Sequence, residues 1–187
     1  MHRRFSVASF ALPSRSPAPT PKEAGWIHQL AAGESKAWAR FVEEWSPLLY
    51  QYITANGLSE TEAQTLLPLI FANVVQKVVG QTIDDSQPVM KPALLLFAAA
   101  YQQMMRYVHQ PPNPQQREAL SPAAEAMADP QALPLRRTLQ QFSPEAQQVA
   151  LLYYLCEMSL AEICQITRQS ELRVRTTLNQ VKRQLCR

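Results

Sequence analysis

Glycine is scarce in this chain of 187 residues: Gly25, Gly33, Gly57 and Gly80 are all it has. None falls into a GxGxxG, GxxxxGK(S/T) or GxSxG pattern, so the phosphate-cradling loops and nucleophile elbows built on those spacings are excluded. Cysteine and histidine are equally thin, at three residues each. Cys156, Cys164 and Cys186 contain no CxxC, and His2, His28 and His109 are scattered. That inventory argues against a metal site and a disulfide framework and suits a reducing cytosol. No run reaches the roughly 20 apolar residues that span a bilayer, so no membrane association is expected. The adjacent carboxylates Glu43 and Glu44 diverge on a helix and make no facing acid–base pair. We expect neither an enzyme nor a cofactor.

What remains is 47% apolar and 18% charged, enough for a buried core. Helical periodicity runs through nearly all of it, and alternating β-branched runs are missing, so the expected fold is all-α. Residues 1–21 carry Arg3, Arg4 and Arg15, no acid and four prolines, and read as a flexible tail. Helices follow over Lys22 to Ala32 and Ser35 to Trp45, the second burying Trp38, Phe41, Val42 and Trp45. Ser46-Pro47 is expected to restart a helix that ends at Asn56-Gly57, because proline suits the first helical position. Ser59 with Glu62 forms a capping box that opens a helix towards Val79, with Pro68 inside it. After a loop at Asp84 and Asp85, an apolar helix spans Pro92 to His109. Trp26, Trp38 and Trp45 read as bundle core.

Six prolines between Pro111 and Pro134 mark a linker. It divides a larger helical domain (residues 22–110) from a smaller one (135–187). In the latter, Ser143-Pro144 opens a helix with Val149, Leu152, Tyr153 and Cys156 on one stripe. Ser159 and Glu162 make a second capping box over a short helix, with Leu160 and Ile163 inward. Ser170 caps a last helix in which Val174, Leu178, Val181 and Leu185 repeat at four, three and four. Short helix, turn and longer basic helix together predict a helix-turn-helix.

From Thr167 to Arg187 there are six basic side chains and one acid, a net of +5, although the whole chain carries only +3. Such concentration is what phosphate neutralisation requires. At about 100° per residue, Arg173, Thr176, Asn179, Gln180 and Arg183 lie opposite the apolar stripe, with Arg175 and Lys182 on a flank. Arg, Asn, Gln and Thr are residue types that read base edges, and flanking cations hold the backbone.

These residues carry a resemblance. The stretch FSPEAQQVALLYYLCEMSLAEICQITRQSELRVRTTLNQVKRQL, Phe142 to Leu185, resembles region four of bacterial RNA polymerase sigma factors of the extracytoplasmic-function type. LAAGESKAWARFVEEWSPLLYQYI and SETEAQTLLPLIFANVV look like region two. The resemblance implies two helical domains, binding to core RNA polymerase and to promoter DNA, and an anti-sigma factor as a further partner. Its matching positions for promoter recognition are Arg173, Arg175, Thr176, Thr177, Asn179 and Gln180; of these we expect Arg173, Thr176, Asn179 and Gln180 on bases, and Arg168, Arg175, Lys182 and Arg183 on phosphates. Leu66, Leu69 and Phe71 stand on the helix that binds polymerase in the family, and Tyr101, Arg106 and Tyr107 on the one that opens the promoter. The chain departs from the pattern in three places. On the promoter-opening helix, Leu95 stands where the family has tryptophan. Gln64, Thr65, Pro68 and Leu69 occupy the polar positions of the polymerase-binding helix. Arg168 stands where the turn normally has glycine, and Thr167 and Gln169 lead us to expect a less buried hinge. Two other readings stay open: a helix-turn-helix regulator that no longer melts promoters, and a helical adaptor that binds protein only.

Overall fold

In the computed structural model, residues 21–81, 91–109, 139 and 141–185 are described. The expected tail apart from Pro21, the loop at Asp84 and Asp85, and the linker over 111–134 lie outside them. Seven helices and no strand occur among the described residues: α1 (Pro21–Ala31), α2 (Ser35–Ala55), α3 (Glu60–Val78), α4 (Pro92–His109), α5 (Pro144–Tyr154), α6 (Leu160–Thr167) and α7 (Glu171–Leu185). The all-α expectation is met.

Local signals place most boundaries. The Ser59 hydroxyl accepts from the Glu62 amide while the Glu62 carboxylate accepts from the Ser59 amide, closing a reciprocal cap on α3. Ser159 and Glu162 do the same for α6. Ser143 caps α5, with Pro144 in the first turn. Gly57 takes φ +91° after α2, a left-handed conformation that glycine adopts without a Cβ penalty.

One boundary differs. Instead of ending at Trp45 and restarting at Pro47, α2 is a single helix through that proline. Proline removes one backbone hydrogen bond and costs about 3 kcal/mol inside a helix. Phe41, Leu49, Tyr52 and Ile53, all fully buried along this one helix, outweigh that cost. Val42 also departs from expectation and is exposed at the edge of the stripe.

An aromatic chain runs through the core. Phe41 meets Phe71 edge-on at 5.9 Å, and Phe97 meets Trp45 at 6.2 Å and Tyr52 at 5.6 Å. Trp38 donates to the Leu30 carbonyl at 3.0 Å, tying α1 to α2. Trp26 and Trp38 are half-buried against the core, as is Trp45, and the Arg40 guanidinium lies over the Trp26 ring.

The helices of the two sequence halves pack on one another. At the junction three side chains close a polar ring, two of them buried. The Tyr52 hydroxyl donates to Gln148 Oε1, Gln148 Nε2 donates to Asn56 Oδ1, and Asn56 Nδ2 donates to the Tyr52 carbonyl at 2.7 Å. Gln148 is 1% exposed and Tyr52 fully buried. Burial raises the Tyr52 hydroxyl well above its ordinary value, keeping it protonated as the donor this ring needs.

Both capping-box glutamates spend a second oxygen on the α4 segment. Glu62 Oε1 accepts from the Tyr107 hydroxyl in the last turns of α4. Glu162 Oε1 receives Lys91 Nζ at 2.9 Å, one residue before α4 begins. Burial pushes the Glu162 carboxyl up, but the Ser159 hydroxyl, the Ser159 amide and Lys91 outweigh it, and the net shift is downward. A carboxylate with a depressed folded value stabilises fully above its unfolded value of about 4.3 and loses that stabilisation as pH falls through the folded one. Melting temperatures of wild type and Lys91→Met should therefore differ at neutral pH and draw together in acid. A gap that persists undiminished below that range would assign the difference to lost packing of the lysine stem.

Candidate nucleic-acid interface

Helices α6 and α7 meet at Arg168, which ends α6 in the left-handed region at φ +56°, ψ +31°. A non-glycine residue there costs about 1–2 kcal/mol, and the Arg168 side chain is exposed. Arg168→Gly should stabilise the fold by about 1 kcal/mol in urea denaturation. The same change should weaken duplex binding and lower the slope of log affinity against log salt by about 1. Opposite movement of the two readouts marks a residue kept for its charge.

The hinge itself is tighter than expected. Thr167 is buried because its hydroxyl donates to the Ile163 carbonyl at 2.8 Å, which satisfies the polar group inside the turn. The α7 start is capped by Ser170, whose hydroxyl accepts from the Arg173 amide. Val174, Leu178 and Val181 are buried against α5 and α6. The side chain of Leu185, expected to continue that stripe, lies outside the described residues.

The outward side of α7 is open to solvent as its periodicity requires. Arg173, Arg175, Thr176, Asn179, Gln180, Lys182 and Arg183 are exposed, and Thr177 is half-buried at the margin. Arg175 is held by Glu171 through Nε at 2.8 Å and a terminal nitrogen at 2.6 Å, an exposed pair that solvent screens strongly. It must leave that carboxylate to reach a phosphate. The structure thus brings Arg168, Arg173, Arg175, Lys182 and Arg183 onto one module with the polar residues between them.

The other site residues are distributed unevenly. On α3, Leu69 is 51% exposed and Leu66 half-buried, whereas Phe71 is in the core against Phe41. Phe71 supports that helix from within and does not line its surface. On α4, Arg106 is exposed, and Tyr107 is half-buried with its hydroxyl on Glu62. Tyr101 is half-buried. Burial raises its hydroxyl above the ordinary value, Glu145 adds to the effect and Arg173 opposes it. A residue expected to open DNA and one expected to read bases therefore lie within electrostatic reach of each other.

Cys156 and Cys164 are not poised thiolates. Burial pushes the Cys156 thiol up to about 12, and burial followed by Glu171 raises Cys164. Among the described residues no group of histidine, cysteine and carboxylate side chains is placed to hold a metal, and no helix is long and apolar enough to cross a membrane.

Sequence reasoning missed the Tyr52–Gln148–Asn56 ring and the left-handed Glu157 that ends the turn after α5. For Gln148 a signal existed: it stands four residues before Leu152 and so shares the inward stripe.

No family model and no curated protein sequence matches this chain. Its fold is similar to that of CnrH, solved in complex with the cytosolic domain of CnrY. The TM-score is 0.65 at 17% identity, over 87% of this chain and 94% of that one. At that identity the likeness is one of fold.

Proposed function

We propose that this chain is a cytoplasmic, non-enzymatic, sigma-factor-like regulator that binds core RNA polymerase and directs it to particular promoters through α6 and α7. The observation that carries this reading is the solvent-open cationic face of α7, set on a capped helix-turn-helix. Its setting, a fold shared with CnrH over most of both chains, supports it. In this reading residues 22–110 form the polymerase-binding and promoter-opening unit, 111–134 the linker and 135–187 the promoter-reading unit. Arg173, Thr176, Asn179 and Gln180 take the bases, with Thr177 at the margin, and Arg168, Arg175, Lys182 and Arg183 take the phosphates. On the first unit, Leu66 and Leu69 offer apolar contact to polymerase. Tyr101, Arg106 and Tyr107 offer stacking and charge to unpaired bases. An anti-sigma partner suits a fold that in CnrH was solved with another protein's cytosolic domain bound.

Purified chain mixed with core polymerase and a random promoter library tests this directly. Co-elution with polymerase and specific transcripts are expected; absence of both sinks the reading. One observation favours a second reading, a regulator that binds DNA without melting it: Tyr101 is half-covered and the Tyr107 hydroxyl is already engaged by Glu62. Strong footprints without polymerase, and no transcripts with it, would select that alternative.

A further inference from the structure

The outward face of α7 is not polar throughout. Leu172, the second residue of the helix, is 77% exposed, against 51% for Leu69 and about 40% or less for Val42, Val75 and Val79. A lone exposed leucine is ordinary on a protein surface, but the position of this one is not. The buried stripe Val174, Leu178 and Val181 fixes the inward direction of α7. At about 100° per residue the opposite direction is marked by Leu172, Thr176, Asn179 and Arg183, spaced four, three and four. Leu172 therefore stands in the middle of the face that carries the cations, within the first turn. That turn of a recognition helix enters the major groove most directly.

Its neighbour on the stripe matches it. The Thr176 hydroxyl donates to the Leu172 carbonyl at 2.8 Å. With its hydrogen committed to the backbone, Thr176 has an acceptor oxygen and a methyl left for a ligand. Leu172 and Thr176 thus make an apolar step between Arg168 and Arg173 on one side and Asn179 and Arg183 on the other. In a major groove the apolar feature of a base pair is the C5-methyl of thymine, which side-chain methyls contact.

We infer that Leu172, supported by Thr176, reads a thymine methyl group, so that the preferred duplex of this chain carries a required thymine opposite the first turn of α7. This rests on the DNA-binding reading above, and the experiment separates the two. Duplexes are selected from a random pool with the full chain, alone and with core polymerase. Each thymine of the selected site is then replaced singly by deoxyuridine, which removes only the methyl. At one position the replacement should weaken binding about threefold to tenfold, the scale of one buried methyl contact. Leu172→Ala should weaken the thymine duplex by a similar factor and bind thymine and deoxyuridine duplexes equally, while its salt slope stays at the wild-type value. Being exposed, Leu172 can be truncated without opening the core. A deoxyuridine scan that is flat at every position, or a thymine preference that survives in Leu172→Ala, overturns the inference and leaves DNA binding intact. The leucine would then be an anchor for a protein. If no duplex is selected under either condition, the DNA-binding reading falls and takes this inference with it.

Discussion

Replacing Arg173 and Arg183 together by alanine is expected to lower duplex affinity by about 2–4 kcal/mol, between one and three orders of magnitude. The two guanidiniums stand on the open side of α7, and the roles proposed for them differ. Loss of Arg183, proposed above to hold a phosphate, should weaken all sequences alike and reduce the salt slope by about 1. Loss of Arg173 should relax preference at one base position. Both side chains are exposed and only the Arg173 backbone takes part in the Ser170 cap, so helicity and melting temperature should hold. Fluorescence anisotropy on a labelled duplex at several salt concentrations measures both components. Binding within twofold of wild type at every salt would exclude α7 as the interface and favour the adaptor reading.

The largest stability effect is expected at the junction between the two sequence halves. Gln148→Leu leaves the buried Tyr52 hydroxyl without its acceptor and removes the donor to Asn56. An unsatisfied buried hydroxyl costs about 1–3 kcal/mol. For a chain of this length that corresponds to about 2–4 °C of melting temperature per kcal/mol. Adding Tyr52→Phe removes the stranded hydroxyl, and the double variant should regain most of the loss, because replacing both partners by apolar groups is close to neutral. Asn56 is partly exposed and turns to water. A double-mutant cycle with no coupling would show that the ring contributes nothing beyond packing.

What the sequence made legible was what is decided locally. The caps at Ser59, Ser143, Ser159 and Ser170 involve atoms three residues apart, and the inward stripe of α7 follows from helical geometry alone. Arg168 in the turn was readable for the same reason. Pro47 was not, because a proline opening a helix and a proline inside one have the same neighbours; the choice belongs to the core that Phe41 and Tyr52 share across it. Thr167 reads as polar, yet is buried once its hydroxyl reaches back to Ile163. Gln148 is the extreme case, since its partner Tyr52 lies 96 residues away and only the folded chain brings them together. For the candidate site, periodicity showed which side chains face outward, while the Glu171 hold on Arg175 and the Glu62 hold on Tyr107 depend on rotamers and packing.

The second oxygens of Glu62 and Glu162 bind the segment around α4 near both of its ends, one from α3 and one from α6. A rod fastened at each end by a different neighbour cannot fray, slide or rotate without disturbing one of them. Heavy-water exchange along α4 therefore reports on the integrity of the whole bundle.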